Sequence, residues 1–211
     1  RGYQKNYNTN SDEAVLINDL KYSSFSSISS NINGMVTNYK FLLRNLNSTS
    51  ENSDKLRDGE DHKILSTLIL ENKLPLKKEN QNSTSLLSPK FSARYSPNST
   101  KNNSNLNKSI NFNNIYSLDR IDDTSVEGGA SITLGAEYSL NNLEDERFVN
   151  LSFANILRID ENPDLPKLYG FSEKRSDFIG EFDFIPSKFF DLNYQFSLDK
   201  NLDESNYSLI K

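Results

Sequence analysis

Residues that could carry chemistry are few in this sequence, and they lack the partners that catalysis or metal binding requires. The chain has one histidine, His62, and no cysteine, so a histidine-based triad, a thiol nucleophile and a thiolate-bound zinc ion all lack parts. Acidic residues in two groups could suggest a cation site: Asp119, Asp122, Asp123 and Glu127, and then Asp160, Glu161 and Asp164. Neither group has the regular ligand spacing and central glycine of a calcium loop. We therefore interpret both as solvated loop charges, with a divalent cation bridging to phosphates as the alternative.

The elements that must position these residues are predicted to be β-strands, because apolar residues recur at every second position. In the clearest series, residues 130–140, six apolar side chains alternate with polar or small ones. Strict period two over about ten residues is typical of a strand with one apolar and one polar face. Similar series occupy residues 35–43, 68–76, 87–95, 149–157, 178–184 and 190–198, and residues 14–22 are apolar enough to form another strand. We predict an all-β chain of about nine or ten strands with no helix.

Composition narrows the class of protein. The net charge of −5 gives no electrostatic footprint for binding nucleic acid. The mean hydropathy of −0.69 would suggest a soluble protein, and no apolar stretch approaches the length of a membrane helix. A membrane-crossing strand needs only about 9–11 residues, of which alternate ones face lipid, so its mean hydropathy stays low. The polarity of the chain is therefore compatible with a segment of an antiparallel transmembrane β-barrel.

The predicted connections alternate in length along the chain. Short ones fall at residues 33–34, 141–146 and 185–188, long ones at 47–61, 97–128 and 159–175, and one of intermediate length at 77–85. Strands that cross an outer membrane have short periplasmic turns and longer outer loops, which is the same order. Residues 98–114, within the longest connection, are rich in asparagine and serine, which predicts a mobile, low-complexity outer loop.

Three carboxylates lie on the polar faces of the predicted strands: Glu137, Glu181 and Asp183. Paired carboxylates can act as acid and base in a hydrolase. A water-filled barrel interior accounts for them without any chemistry, because such an interior keeps charged side chains hydrated. We therefore predict that the protein is not an enzyme and needs no cofactor.

One motif connects a polar loop to the clearest strand. Its residues are Leu118, Asp119, Arg120, Glu127, Gly128 and Gly129. The arrangement resembles the barrel of the LPS-assembly protein family (LptD, also called OstA), in which a similar Asp-Arg loop precedes a Glu-Gly-Gly type of turn and an alternating strand. Ser117 stands where that family often has glycine. We expect Arg120 to pair with neighbouring acids and the two glycines to allow the φ values of a tight turn.

This resemblance implies a fold and a role. Residues 1–211 are then part of one outer-membrane β-barrel domain of about 26 strands, and the barrel's C-terminal end and lateral gate and the family's N-terminal periplasmic domain lie outside them. The family accepts lipopolysaccharide from periplasmic bridge proteins, holds a plug lipoprotein inside the barrel, and releases the glycolipid into the outer leaflet of the Gram-negative outer membrane. The residues expected to face the lumen are Ser131, Thr133, Glu137, Asn193 and Gln195.

Two alternative functions remain open from the sequence. One is a different outer-membrane barrel, such as a porin or receptor, which shares the alternation but not the loop motif. The other is a soluble β-sandwich that binds glycans. A longer sequence would test the first alternative, because an upstream periplasmic β-domain belongs only to the assembly protein. Fractionation would test the second.

Overall fold

Eleven strands form one antiparallel sheet in the part of the chain that the computed structural model describes. The described residues are 2–4, 14–29, 34–52, 58–118, 120–121, 125–142, 148–187 and 189–211. The strands are β1 (Gly2–Gln4), β2 (Ala14–Ser29), β3 (Val36–Glu51), β4 (Gly59–Lys73), β5 (Leu76–Glu79), β6 (Ser83–Ser96), β7 (Gly129–Asn142), β8 (Phe148–Arg158), β9 (Phe178–Ser187), β10 (Phe190–Leu198) and β11 (Ser205–Ile210). Leu168–Gly170 form a turn of 3₁₀ helix, and the described ranges contain no helix with the length and apolar character of a membrane span.

Each strand lies beside the one before it in the sequence, except that β5 continues the line of β4. The pairing of β4 with β6 runs to Lys73, and β5 resumes the pairing with β6 at Leu76. Pro75 interrupts the line because proline has no amide hydrogen to give to a ladder. The Leu74 amide donates to the Pro89 carbonyl at 3.1 Å and keeps both parts on the same partner strand. The all-β, antiparallel prediction is confirmed.

The connections alternate between the two ends of the sheet, and those at one end are much longer. Consecutive antiparallel strands must be joined at opposite ends in turn. At the short end, residues 80–82 join β5 to β6 and two residues join β9 to β10. At the long end, residues 97–128 join β6 to β7, and residues 159–177 join β8 to β9. We therefore distinguish a short end and a long end of the sheet.

Two connections differ from the prediction. The long connection expected at residues 47–61 is wrong, because β3 continues to Glu51 and β4 begins at Gly59. Strand pairing extends past the apolar series there, since the backbone ladder needs no apolar side chains. The connection expected to be intermediate is a tight turn, in which the Asn80 amide donates to the Ser83 carbonyl at 2.8 Å.

Two of the short connections fall partly outside the described residues. Of the expected turn at residues 33–34, Asn33 lies outside them, and Gly34 has a φ of +69°. Residues 143–147, most of the expected connection at 141–146, also lie outside them.

The apolar faces of the strands are exposed and their polar faces are buried, which is the reverse of a soluble sheet. In β7, Ile132 and Leu134 are 39% and 46% exposed, whereas Ser131 and Thr133 are 4% and 3% exposed. The same apolar face continues over the neighbouring strands with Tyr39, Leu43, Leu68, Leu87, Tyr95, Leu151 and Phe153, all exposed. A contiguous apolar surface of this kind is unfavourable in water. It is consistent with a barrel segment whose outer side meets lipid.

The long connections fold back over the polar face of the sheet. Buried apolar residues lie between them and the strands: Ile110, Ile115, Tyr116, Ile121, Leu165 and Phe171 from the connections, and Ala154, Ile156 and Ile179 from the sheet. The interpretation of residues 98–114 as a mobile loop is therefore corrected, because part of this segment packs against the sheet. The Asn103 amide donates to the Asp164 carbonyl at 2.7 Å, and its side chain donates to Ser125 Oγ at 2.9 Å. Asparagine favours turns of this kind, so a polar composition can belong to a packed segment.

Replacing Leu134 with lysine should destabilise the protein by about 2–4 kcal/mol in lipid, because no water hydrates a charge on the outward face of β7. The matched control is Ser139→Lys, on the polar face of the same strand, which should cost less than about 1 kcal/mol. The measurement is the free energy of unfolding of the full-length protein in phospholipid vesicles. Equal losses in the two variants would contradict this assignment of faces.

Candidate functional site

Three strands place polar side chains side by side beneath the longest connection. Arg94 on β6, Ser131 on β7 and Arg158 on β8 are register partners in a row across the sheet. Each lies next to an outward apolar residue, so the period of two directs all three side chains to the polar face. The two arginines flank a slot whose floor is Ser131. Register between strands creates this slot, since the three residues are far apart in the sequence.

Arg120 and Glu127 of the connection fill the slot as a bidentate ion pair. The Arg120 Nε atom lies 2.5 Å from Glu127 Oε2, and Nη2 lies 2.6 Å from Oε1. The guanidinium also donates to Ser131 Oγ at 3.0 Å, to Thr133 Oγ1 at 3.3 Å and to the Ile115 carbonyl at 2.9 Å. The side chains of the pair are 1% and 2% exposed. The pair therefore holds the segment from Arg120 to Glu127 against β7 at both of its ends.

Arg94 and Arg158 lie on either side of the ion pair. We call Arg94, Arg120, Arg158 and Glu127 the arginine cluster. Arg158 donates through Nη1 to Glu127 Oε1 and through Nε to the Phe171 carbonyl, the latter at 3.1 Å. Arg94 Nε lies 4.0 Å from Glu127 Oε2, and Arg94 Nη1 donates to the Leu118 carbonyl at 3.0 Å. Since Phe171 belongs to the second long connection, the cluster binds both long connections to the sheet.

Among the residues that the structure describes, three guanidinium groups of the cluster surround the Glu127 carboxylate. Burial lowers the pKa of Arg120 to about 9, which leaves it charged at neutral pH. The Phe171 ring helps to stabilise the two guanidinium groups nearest to it, because its electron-rich face lies 4.7 Å from Arg158 Cζ and 5.5 Å from Arg120 Cζ. The backbone carbonyls of Leu118, Ile115 and Phe171, which accept from Arg94, Arg120 and Arg158, add to this stabilisation. The charged groups engage one another, so the arrangement fixes the connection to the sheet.

The two glycines of the motif are required for different reasons, one for its backbone conformation and the other for a close backbone contact. Gly129 has a φ of +85°, a conformation that favours glycine. A Cβ on Gly128 would lie 2.1 Å from the Asn98 carbonyl oxygen, so the backbone passes there only without a side chain. The Gly128 amide donates to Thr100 Oγ1 at 2.9 Å. Both residues let the chain pass directly from the ion pair into β7.

The remaining motif residues are only partly described. Leu118 packs beside a small buried cluster of apolar residues from β3, β4 and the connection. Asp119 lies outside the described residues, as do Asp122 and Asp123. Of the first acidic group the structure thus describes Glu127, whose carboxylate is engaged in the ion pair. Within the described ranges, no three His, Cys, Asp or Glu side chains are grouped as they would need to be to hold a metal ion.

Glu137 belongs to a second polar group, a chain of alternating charges nearer the middle of the sheet. Lys73 Nζ lies 2.6 Å from Glu137 Oε2, and Lys90 Nζ lies 4.0 Å from Glu137 Oε1. Lys90 also lies 3.8 Å from Glu71, which Lys40 contacts at 3.1 Å. We call these five residues the lysine–glutamate chain. Its charges alternate in space, although its members come from β3, β4, β6 and β7.

Asn193 and Gln195 belong to a third polar group, on β9 and β10. Asn193 Nδ2 donates to Glu181 at 2.7 Å and to Asp183 at 2.6 Å, and Gln195 Nε2 donates to Glu181 at 2.9 Å. Asn150 on β8 donates to Asp183 at 3.1 Å. We call this the amide–carboxylate group. The residues expected to line a lumen thus share one face of the sheet but are distributed over three groups.

Sequence reasoning does not identify Arg94 and Arg158, although both are needed to form the slot. A signal is present in the pattern. Each is the arginine of its strand, each occupies a polar-face position next to Tyr95 or Leu157, and each strand enters a long connection. An arginine at such a position is costly to bury alone, which indicates a partner in the connection that follows.

Replacing Glu127 with glutamine should destabilise the packed connection by about 3–5 kcal/mol, because it leaves buried guanidinium groups without their carboxylate. The matched control is Glu173→Gln, which removes one partner of an exposed pair with Lys200 and should cost less than about 1 kcal/mol. The readout is the rate of trypsin cleavage at Lys101 and Lys108 in the full-length protein. The cluster is not the anchor of this connection if both variants are cleaved as slowly as the unmodified protein.

Comparison with known protein families gives one assignment. The model of a family described as LptD, LPS transport system D, matches residues 17–210, which is nearly the whole chain. A search of curated protein sequences finds no match. The family match covers every strand from β3 to β11 as well as the arginine cluster and the two long connections. The chain therefore belongs to the LptD family of LPS transport proteins.

Proposed function

We propose that this chain forms part of the wall of an outer-membrane β-barrel that conducts lipopolysaccharide to the outer leaflet. The observation that carries the proposal is the inverted burial of the strands, with Leu134 exposed and Thr133 buried on adjacent positions of β7. A strand of this kind needs an apolar medium on one side and a polar interior on the other. In a family of LPS transport proteins, those two environments are the membrane and the conduit.

The polar face offers a surface suited to a saccharide that carries phosphates. Lys40, Lys73 and Lys90 can attract phosphate groups, and the amide–carboxylate group can exchange hydrogen bonds with hydroxyl groups. These side chains already engage one another, so each contact with a passing molecule replaces an existing one. A conduit works best when binding is weak and repeated along the path. No covalent step is required, and the transport role needs no catalytic residue.

The packed connections bear on where the glycolipid would leave. They cover the polar face at the long end, and Arg120 and Phe171 are almost fully buried there. A bulky headgroup moving along this wall would meet closed packing at the long end. This favours release sideways into the membrane, through a gate that the family resemblance locates between the first and last strands of the complete barrel. The present segment supplies wall to that path.

The proposal includes partners and a location. The family resemblance implies a plug lipoprotein against the polar face, periplasmic bridge proteins that deliver the lipid, and residence in the cell outer membrane. A soluble glycan-binding sandwich is less well supported, because it would leave the apolar face in water. A porin or receptor is less well supported, because the matching family is one of LPS transport.

The direct test is photocrosslinking in cells, with a photoreactive residue at Gln195 or at Tyr194 of the full-length protein. These neighbours lie on opposite faces of β10, since Gln195 bonds to Glu181 on the polar face and Tyr194 belongs to the apolar series. We expect Gln195 to give lipopolysaccharide adducts that disappear when export is stopped. Tyr194 should give only membrane-lipid adducts, whose yield does not depend on export.

The proposal is rejected if Gln195 yields no lipopolysaccharide adduct while export continues, or if adducts at both positions are equally independent of export. Fractionation of the same cells provides the location. The protein should sediment with the outer membrane and require detergent for extraction, and recovery in the soluble fraction would contradict the proposed placement.

A further inference from the structure

A groove of about 500 Å³ lies on the apolar face of the sheet, where β7, β8 and β9 meet at the long end. The side chains that define it are Leu134, Ala136, Phe153, Leu157, Arg175 and Phe178. We call it the β7–β9 groove. Its volume falls in the range of about 300–1,000 Å³ that is usual for small-molecule sites. Five of these six side chains are apolar, and Asn155 also lines the groove, so most of its wall suits a hydrocarbon chain.

Asn155 gives the groove its depth. It occupies an outward position of β8, but its side chain is turned away from the surface and is 6% exposed. Its Nδ2 atom donates to the Ser176 carbonyl at 2.5 Å and to the Asp177 carbonyl at 3.2 Å. The regular pairing of β8 with β9 ends at Ala154, so these bonds replace the ladder at that point. A space remains where a larger outward side chain would otherwise stand.

Arg175 is at the long end of the groove and brings a positive charge to an apolar surface. Its backbone pairs with Leu157, and its guanidinium lies 4.8 Å from the centre of the Phe178 ring. The side chain is exposed and forms no ion pair with any residue in the described part of the chain. A guanidinium held against a ring keeps its N–H donors available for an anion, and its fork geometry matches phosphate.

We propose that the β7–β9 groove binds one acyl chain of a phosphate-bearing lipid, whose phosphate is held by Arg175. The site is continuous with the exposed apolar face of the sheet, and its charged end is at the level of the long connections. This inference rests on the proposed function only in requiring that the apolar face is embedded in lipid. It assigns the face a defined lipid-binding position, separate from the polar face along which the transported lipid would pass.

The test uses the full-length protein in detergent and three matched probes. Dimyristoyl phosphatidic acid has both chains and phosphate, dimyristoylglycerol has the chains alone, and glycerol 3-phosphate has the phosphate alone. Native mass spectrometry measures how much of each probe is bound. We expect phosphatidic acid to bind about tenfold more tightly than dimyristoylglycerol, since a charge-assisted hydrogen bond has about that effect. Glycerol 3-phosphate should neither bind nor compete.

Two variants with matched controls locate the site. Arg175→Ala should remove the preference for phosphatidic acid, whereas Lys174→Ala, at the adjacent exposed lysine, should leave it unchanged. Ala136→Trp should fill the groove and reduce binding of both lipids. Ala93→Trp, at an outward position of β6 away from the groove, should not. Circular dichroism of each variant checks that the strand content is retained.

The inference is overturned if Arg175→Ala keeps the preference, if Ala136→Trp binds as the unmodified protein does, or if glycerol 3-phosphate displaces the lipid. These results are independent of the crosslinking at Gln195. If the crosslinking fails but the lipids bind as expected, the conduit is rejected and the lipid site stands. If the crosslinking succeeds but the lipids do not bind as expected, only the lipid site is rejected.

Discussion

Arg120 and Glu127 meet in a slot that three neighbouring strands leave between Arg94 and Arg158. Because the surrounding guanidinium groups are nearly inaccessible to water, removal of this carboxylate would take away an ion-pair partner that three buried arginines share. The connection of residues 97–128 must therefore fold back onto the sheet, because it supplies the Glu127 carboxylate to these arginines. The glycines next to Glu127 make that return geometrically possible. The order of the motif along the chain, an arginine, then a glutamate, then two glycines, is the order in which the chain forms the anchor and enters β7.

The two faces of the sheet are stabilised by different means. The apolar face carries exposed leucine, tyrosine and phenylalanine side chains, which only a nonaqueous medium would favour. On the polar face, packed connections cover the long end, and networks of ion pairs and amide hydrogen bonds occupy the rest. Since the backbone ladder is shared, a strand such as β7 takes part in both environments at alternate residues. This is why apolar residues occupy only every second position over most of its length.

The sequence predicts the strands well because period two is a local property that a strand cannot avoid showing. It also predicts the place of the longest connection, since the alternation stops at Pro97 and resumes after Gly129. The burial of that connection is less predictable: asparagine and serine dominate it, and the isoleucines that pack are widely spaced. The local pattern marks Arg94 and Arg158 as polar-face arginines before long connections, but it does not show that they meet, because register between strands distant in the sequence brings them together.

Spin labels placed one at a time along β7 of the full-length protein in liposomes test the central claim most directly. Oxygen, which concentrates in lipid, should relax labels at positions 132, 134, 136 and 138, which carry the apolar series. A water-soluble nickel chelate should reach none of these positions. Labels at 131 and 133 should be protected from both reagents, because the packed connection covers them. Nickel access at 132 and 134, or access without a period of two, would contradict the account.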